Sequence, residues 1–545
     1  MNFSSRSPGP RVSAAVAAAV AALTVWAFLP CLGNGFVAWD DDVNFLANPA
    51  FRGLAWGNVR WMLTTSLNGH YQPLAWLSAA LDFLRGGLDP RAYHETNLLL
   101  HSVNAALVFL LALRACRLAR GRGDKAEPRE LAAAAGAALL FALHPLRVES
   151  VAWATERRQL LSTAFALGAI LAYLRGRRGL SLALYVPALL ADELWMPLPA
   201  ILLVLDAYPL RRRPRLREKL PFAALALADG CAALWAQGRQ GALTSVRSYG
   251  VGERLGQAAY GIVFYLRKSL VPLDLSPLYA LTRRSFAEPA ILACAAAVAL
   301  ASVACWRARE RRPWALAAWA CYLVCLVPVL GWTQAGPQLV ADRYSYASCI
   351  PWALLAGAAA LSRPGAAIAL ACSLPVLAAL SRRQLAAWRD TESLWAQALR
   401  VDPDNRPARR NLAGYLAARG RPEEALKQYS AAEALCPSCA DVLLEKAFVL
   451  ASLARFPEAL ASFRRALPAD PGEAQAPALF GEALLRRGRT PDAVRFLETA
   501  PRDQRREALL GAALAASGDP GRALPHLRRA LSAKDDAPGR NNLGL

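Results

Sequence analysis

Three adjacent carboxylates, Asp40-Asp41-Asp42, follow Trp39 a few residues beyond the first long apolar run of the chain. Neighbouring carboxylates repel one another, and acids this close to an apolar segment are costly unless they are solvated or used. Used, one of them accepts the proton of a hydroxyl nucleophile while its neighbour orients the second substrate or holds a divalent metal. Solvated, the run is an acidic turn that favours an outside loop. A second cluster reads His144-Pro-Leu-Arg147-Val-Glu149-Ser-Val-Ala-Trp153-Ala-Thr-Glu156-Arg157-Arg158. On a helix, Glu149, Trp153 and Glu156 would share a face by three- and four-residue spacing. Arg157 and Arg158 would either meet an anionic ligand such as a lipid phosphate or pair internally with Glu156. The third cluster is Asp342-Arg343-Tyr344-Ser345-Tyr346. Arg343 can grip a phosphate bidentately or anchor a helix end among interfacial tyrosines such as Tyr344. His70, Asn97 and His101 are further polar groups on the same side, where a single histidine is more often a hydrogen-bonded packing residue than a ligand.

These residues lie between apolar runs, which must position them. The chain has 545 residues, 55% hydrophobic and only 19% charged, against about 25% charged in an average soluble domain. The deficit is confined to the part before about residue 385. There the apolar runs alternate with basic loops at Arg114–Arg129, Arg175–Arg178, Arg211–Lys219 and Arg307–Arg312. That alternation is the positive-inside pattern of a polytopic membrane protein, and it accounts for the net charge of +22 without nucleic acid. About eleven spans are expected, from Val12–Leu32 to Ala366–Leu380. The first, preceded by Arg6 and Arg11, reads as an uncleaved span rather than a signal peptide. Leu255–Leu270, with Arg254, Arg267 and Lys268, reads as an amphipathic helix in the interface. This arrangement puts every basic loop inside and the three polar clusters outside.

The remainder is repetitive. Ala425, Ala459 and Ala493, each after an acid-rich turn, are 34 residues apart, and so are Pro403, Pro437 and Pro471. A 34-residue period with small residues at helix crossings is the tetratricopeptide repeat (TPR) pattern. A shorter unit ends near Gly521-Arg-Ala523, and Asn541–Leu545 looks like the start of another repeat. Such units bury their apolar faces only against neighbours and offer a concave surface for a polypeptide. The expected fold is therefore all-α: a polytopic membrane helical bundle over 1–385, then a TPR α-solenoid over 386–545. Cys436-Pro-Ser-Cys439 lies between two repeat helices, either as a disulfide of an oxidising compartment or as two incidental loop thiols.

The chain contains no Gly-rich phosphate loop, no HExxH and no GxSxG. A lipid-linked substrate reaching the outer clusters from the bilayer fits better than a soluble nucleotide. Several motifs then occur in order: Asn34-Gly-Phe-Val-Ala-Trp-Asp40-Asp41-Asp42, Asn97-Leu-Leu-Leu-His101, Phe141-Ala-Leu-His-Pro145 with Glu149-Ser-Val-Ala-Trp153, Ala341-Asp-Arg-Tyr344 and Trp388-Arg-Asp-Thr-Glu-Ser-Leu-Trp395. With the TPR units, this order resembles bacterial relatives of the transmembrane-and-TPR O-mannosyltransferases (the TMTC family), which belong to the GT-C glycosyltransferases. The resemblance implies a GT-C-like bundle and a site on the extracytoplasmic side of a bacterial inner membrane. It also implies a polyprenyl-phosphate sugar as donor, and an inverting transfer to an acceptor hydroxyl, such as that of a protein Ser or Thr. The family's paired acids fall on Asp40 and Asp41, one of which would act as base. Substrate contacts are expected from His144, Glu149, Arg157, Arg158, Arg343 and Tyr344, with a divalent metal on Asp40 or Asp41 as an alternative use of one acid. The sequence departs from the family pattern at Gln159, where an Asp is usual, and near Asp192, where a Lys is common. Two other readings stay open: a non-catalytic membrane scaffold whose repeats gather partners for envelope assembly, and a polymerase or ligase of lipid-linked glycans.

Overall fold

In the computed structural model, prolines mark the starts of many of the helices. Pro73, Pro90, Pro128, Pro289, Pro313 and Pro364 each stand in the first turn, where the missing N–H is no loss and the fixed φ suits the helix. The structure describes residues 10–121, 126–239, 250–281, 286–332, 336–467 and 476–532. Arg6, Pro471 and Asn541–Leu545 lie outside the described residues. The chain divides into two units, Met1–Pro403 and Asp404–Leu545.

The first unit begins with α1 (Pro10–Phe28), α2 (Trp56–Thr64), α3 (Pro73–Gly86), α4 (Pro90–Ala119), α5 (Pro128–Ala142), α6 (Val148–Ala152) and α7 (Arg157–Leu174). It continues with α8 (Arg178–Leu189), α9 (Leu198–Ala207), α10 (Leu220–Arg239), α11 (Val251–Leu270), α12 (Pro289–Arg307) and α13 (Pro313–Leu326). The unit closes with α14 (Ser345–Ser348), α15 (Ile350–Ser362), α16 (Pro364–Leu385) and α17 (Thr391–Val401). One small antiparallel ladder interrupts the helices, β1 (Tyr279–Ala280) against β2 (Gln338–Val340).

Among the described residues, five helical stretches are long and apolar enough to cross a membrane: Arg11–Gly33, Pro90–Ala119, Leu216–Arg239, Pro289–Arg307 and Pro364–Trp388. Two further pairs qualify only if each bent pair is one span, Pro128–Ala142 with Pro145–Ala152 at 57° and Asp342–Ser348 with Ile350–Ser362 at 54°. A proline stands just after each break, Pro145 and Pro351, and removes an N–H from the first turn of the following helix; before Pro145 the chain is extended at His144. Length and composition therefore support five to seven spans, fewer than the eleven expected. The shortfall is physical. Helix α8 has 12 residues and α9 has 10, and at 1.5 Å per residue about 20 residues are needed to cross the hydrocarbon core. Helix α11 is 20 residues long and buries Ile262, Phe264 and Tyr265 with Trp319, Tyr322 and Leu326 of α13.

Residues 386–403, placed with the repeats on sequence grounds, fold within the first unit. Trp388 and Trp395 are among its most deeply buried side chains. Gly35 donates its N–H to the Arg389 carbonyl at 2.8 Å, and Ala38 donates to Thr391 Oγ1 at 2.9 Å. The Trp388–Trp395 motif thus clamps the loop that carries Asp40.

The second unit is a row of helix pairs: α18 (Arg406–Ala418) with α19 (Pro422–Leu435), α20 (Ala440–Ser452) with α21 (Phe456–Ala466), α22 (Ala476–Arg486) with α23 (Thr490–Thr499), and α24 (Gln504–Ala516) with α25 (Pro520–Ser532). Ala425, Ala459 and Ala493 are fully buried, as close helix crossings require. Cys436 and Cys439 form a disulfide between α19 and α20. The turn inside each of the first three pairs passes through a left-handed residue, Gly420 (φ 74°), Ala454 (φ 58°) and Gly488 (φ 70°). Only the second of these bears a side chain, and the left-handed region costs an L-residue about 1–2 kcal/mol. Replacing Ala454→Gly is expected to stabilise the repeats by about 0.5–1 kcal/mol once the entropy of the new glycine is set against the relieved strain. A denaturant titration of the full chain, followed through the repeat transition, checks it.

Candidate functional site

Five chain segments converge within the first unit: the loop after α1, the stretch from His144 to Gln159, the turn between α8 and α9, the residues leading into α14, and Trp388–Trp395. Beneath the acids lies an aromatic floor. Trp39 meets Trp395 edge-on at 5.0 Å between centroids, and Trp153 lies 5.7 Å from Trp388 and 6.4 Å from Trp39. Four indoles leave little freedom for the loop above them.

The three acids separate in role. Asp41 is fully buried. One of its oxygens accepts from the Thr155 N–H at 3.0 Å and the Thr155 hydroxyl at 2.7 Å, and the other accepts from the Val37 N–H at 3.1 Å. Asp41 therefore ties the α1 loop to the segment before α7. Asp40, next to it, is partly exposed, and among the described residues its carboxylate makes no hydrogen bond or ion pair. It faces Arg158, His70, Arg343 and Glu156 electrostatically. Asp42 opens a wide helical turn, Asp42–Leu46.

An alternating chain of charges stands opposite Asp40. The Glu149 carboxylate accepts from the Arg343 N–H at 2.8 Å and pairs with the Arg343 guanidinium. Arg343 Nε lies 3.5 Å from Glu156, Glu156 accepts from Arg158 at 3.0 Å, and Arg158 Nε lies 3.7 Å from Asp192. Glu193 then pairs with His70 Nδ1 at 3.1 Å. The Arg343 guanidinium also lies over Trp153 at 5.3 Å and Tyr344 at 4.9 Å, a face-on arrangement that favours a desolvated cation. Among the described residues, the only direct hydrogen bond from the Arg158 side chain goes to Glu156, so donors of this guanidinium remain for a ligand.

The expected site residues thus part company. Asp40, Glu149, Arg158, Arg343 and Tyr344 come together. Arg157 turns the other way: its guanidinium pairs with Asp82 and donates to Asn97 Oδ1 at 2.8 Å and the Tyr93 carbonyl at 2.6 Å, nearly all of it buried. His144 is a turn residue, accepting from the Leu146 N–H at 3.3 Å through Nδ1 and bonded to the Ser269 carbonyl at 3.1 Å through Nε2. Gln159 donates to the Arg343 carbonyl at 2.9 Å and so positions the arginine's backbone. Sequence reasoning missed Thr155 and Glu193. A hydroxyl between Ala154 and Glu156 carries no pattern of its own. The adjacent acids Asp192-Glu193, closing a short apolar run, were the available signal.

Burial pushes the Asp40 carboxyl up to about 6, against the opposing pull of Arg158, His70 and Arg343. Burial likewise takes Asp41 up to about 7, with the hydrogen bonds from Thr155 and Val37 opposing. Burial beside Glu193 raises Asp192. The same burial acts on Glu193, but His70 and Arg158 outweigh it and hold that carboxyl low. A base at Asp40 must be ionised, so activity that uses it is expected to rise with pH through a limb near 6. The stability sign is opposite. The folded carboxyl takes its proton well above the unfolded value of about 3.9, so acidification from about 6 toward 4 favours the folded state at this residue. A rate profile that falls below pH 6 while the thermal midpoint holds would show the two apart.

Among the described residues, no group of three or more His, Cys, Asp or Glu has the arrangement to hold a metal ion. Both Asp41 oxygens are already occupied by N–H and O–H donors, so the Asp40–Asp41 pair offers one free carboxylate rather than a ligand set.

The tetratricopeptide repeat family matches residues 450–516. Protein O-mannosyl-transferase Tmtc1 of Drosophila melanogaster is 34% identical over 193 residues, 32% of this chain and 21% of that protein. Protein O-mannosyl-transferase TMTC3 of Mus musculus is 35% identical over 107 residues, 20% of this chain and 10% of the mouse protein. Protein O-mannosyl-transferase TMTC1 of Homo sapiens is 32% identical over 183 residues, 31% of this chain and 20% of the human protein. These matches span about a fifth or less of the length of the relatives. Among solved structures, MamA aligns over 27% of this chain and 87% of its own at 17% identity, with a TM-score of 0.18 that carries no argument about the fold.

Proposed function

We propose that this chain is a GT-C-type membrane glycosyltransferase that moves a sugar from a polyprenyl-phosphate donor to a hydroxyl of a polypeptide, with inversion. The observation that carries the proposal is the division of labour between adjacent acids. Asp41 is consumed by three hydrogen bonds, while the Asp40 carboxylate, beside Arg158 and Arg343, makes no hydrogen bond or ion pair among the described residues. A carboxylate raised toward neutrality and left unpaired is suited to accept a proton. In the proposed step the acceptor O–H proton passes to Asp40 as its oxygen bonds to the anomeric carbon. The bond from that carbon to the phosphate oxygen breaks, and polyprenyl phosphate leaves with the electron pair. Arg158, with donors to spare, stabilises the leaving phosphate, and Arg343 contributes its charge from its place against Glu149. The O-mannosyl-transferase names of the relatives support a hexose donor. We place the protein in a bacterial inner membrane with its TPR unit extracytoplasmic, where a Cys436–Cys439 disulfide would persist and the repeats would recruit the polypeptide acceptor.

One observation favours a second reading. Facing Asp40 are Glu149, Glu156, Asp192 and Glu193 against Arg158, Arg343 and His70, so a phosphate must compete with resident acids. A non-catalytic scaffold, with the charges serving only to join segments, accommodates that surplus directly. The purified full chain, given a radiolabelled polyprenyl-phosphate mannose and a Ser/Thr-rich peptide, separates the readings. Label moving to the peptide supports the protein glycosyltransferase. Label moving only to an added lipid-linked glycan makes it a glycan polymerase or ligase. No transfer from mannosyl or glucosyl donors, with peptide still captured by the repeats, leaves the scaffold. A reporter fused after Leu545 that is active only in the cytoplasm would remove the recruitment idea.

A further inference from the structure

A cavity of about 740 Å³ lies among α4, α5, α7, α9, α13 and α15, and none of the residues of the charge chain lines it. Its walls are almost wholly apolar: Leu111, Ala134, Leu167, Ile201, Ala318 and Leu354 are representative. It follows α15 from Ile350 past Ser362 to Arg363, a length of about 20 Å at 1.5 Å per residue. At one end are Trp195 and Ala347, close in sequence to Glu193 and Arg343. The other end is cationic. Arg120 and Arg363 both line it and both are exposed. Arg211 lies alongside, donating to the Ala119 carbonyl at 3.2 Å. The one acid in this lining is Glu130, which is buried and already shared between Arg120 at 3.3 Å and Arg117 at 3.8 Å. Among the described residues, the Arg363 guanidinium has no hydrogen bond or ion pair.

An apolar slot with an under-neutralised cationic mouth is complementary to an amphiphile with an anionic head. We infer that this cavity is a binding site for an anionic glycerophospholipid, its acyl chain along α15 and its phosphate between Arg120 and Arg363. The inference does not depend on the transferase reading. A polyprenyl-phosphate donor that presented its sugar to Asp40 would hold its phosphate at the opposite end and leave the Arg120–Arg363 mouth unneutralised.

The test is native mass spectrometry of the detergent-purified full chain titrated with phosphatidylglycerol and, separately, phosphatidylcholine. Phosphatidylglycerol is expected to bind one per chain and more tightly than phosphatidylcholine. Arg363→Gln and Arg120→Gln should each weaken it by about fivefold, the equivalent of about 1 kcal/mol per surface cation. Ala318→Trp, which fills the slot from α13, should abolish retention of either lipid; if that variant does not fold, Ala134→Leu serves the same purpose from α5. Equal binding of the two lipids, or phosphatidylglycerol binding unchanged in both the arginine and the slot-filling variants, would overturn the assignment. So would a co-purifying lipid whose mass is that of a polyprenyl phosphate, since that would give the slot to the donor.

Discussion

Asp40→Asn is expected to lower sugar transfer by about 100- to 10,000-fold, the range for removing a positioned general base, with no loss of thermal stability. The two halves of that expectation come from the same geometry. Among the described residues the Asp40 carboxylate accepts no hydrogen bond, so an amide there leaves no donor stranded, and removing a partly desolvated negative charge relieves its desolvation. The isosteric amide still fills the space beside Arg158 but cannot take a proton. KM for the donor should change little, because the loss lies in the transition state rather than in binding. Asp41→Asn should behave oppositely. Its carboxylate holds the N–H groups of Val37 and Thr155 and the Thr155 hydroxyl, and an amide nitrogen would face donors with a donor. Leaving such groups unsatisfied costs about 1–3 kcal/mol, so this variant should lose thermal stability, and any loss of rate should accompany the loosened loop. Measuring rate and thermal midpoint on both variants separates base from scaffold. Full activity in Asp40→Asn would end the case for a base at this position, whatever the stability data show.

Much of this arrangement was legible before any coordinates, and the reasons differ by element. The repeats were visible because a 34-residue period writes itself into Ala425, Ala459 and Ala493, positions where only a small side chain lets two helices cross. The three polar clusters were visible because ionised residues between apolar runs are costly and therefore conspicuous. Their partition was not. Arg157 and Arg158 are indistinguishable as letters, yet successive residues on a helix point about 100° apart, which sends one guanidinium to Asp82 and the other to Glu156. The same holds for Asp40 and Asp41, whose roles depend on Thr155, more than a hundred residues away. The span count exceeded what the helices support because short apolar segments were counted as spans: α8 and α9 are apolar enough but too short. Trp388–Trp395 was grouped with the repeats because it lies beyond residue 385, where the charge deficit ends, whereas the buried indoles and the Ala38–Thr391 hydrogen bond hold it in the first unit.

Glu149→Ala should produce the largest stability loss of any single change at the site, about 3–5 kcal/mol, the usual cost of stranding one partner of a buried ion pair. Arg343 and Glu149 are both almost fully enclosed, and Glu149 satisfies the Arg343 backbone N–H as well as its guanidinium. Without it, Arg343 would retain Glu156 at 3.5 Å and the faces of Trp153 and Tyr344, which soften the loss but leave the N–H unanswered. The double variant Glu149→Leu with Arg343→Met removes both charges together and should be markedly more stable than the single one, because the desolvation of each ion disappears with its partner. Thermal unfolding of the two singles and the double in one detergent gives the coupling energy directly. A Glu149→Ala loss below about 1 kcal/mol would mean that the pair is solvated like a surface salt bridge. If instead the double variant is stable yet inactive, the charge of Arg343 serves the reaction. That outcome would set Arg343 apart from Arg157, whose guanidinium is directed at Asp82 and whose loss should register as instability.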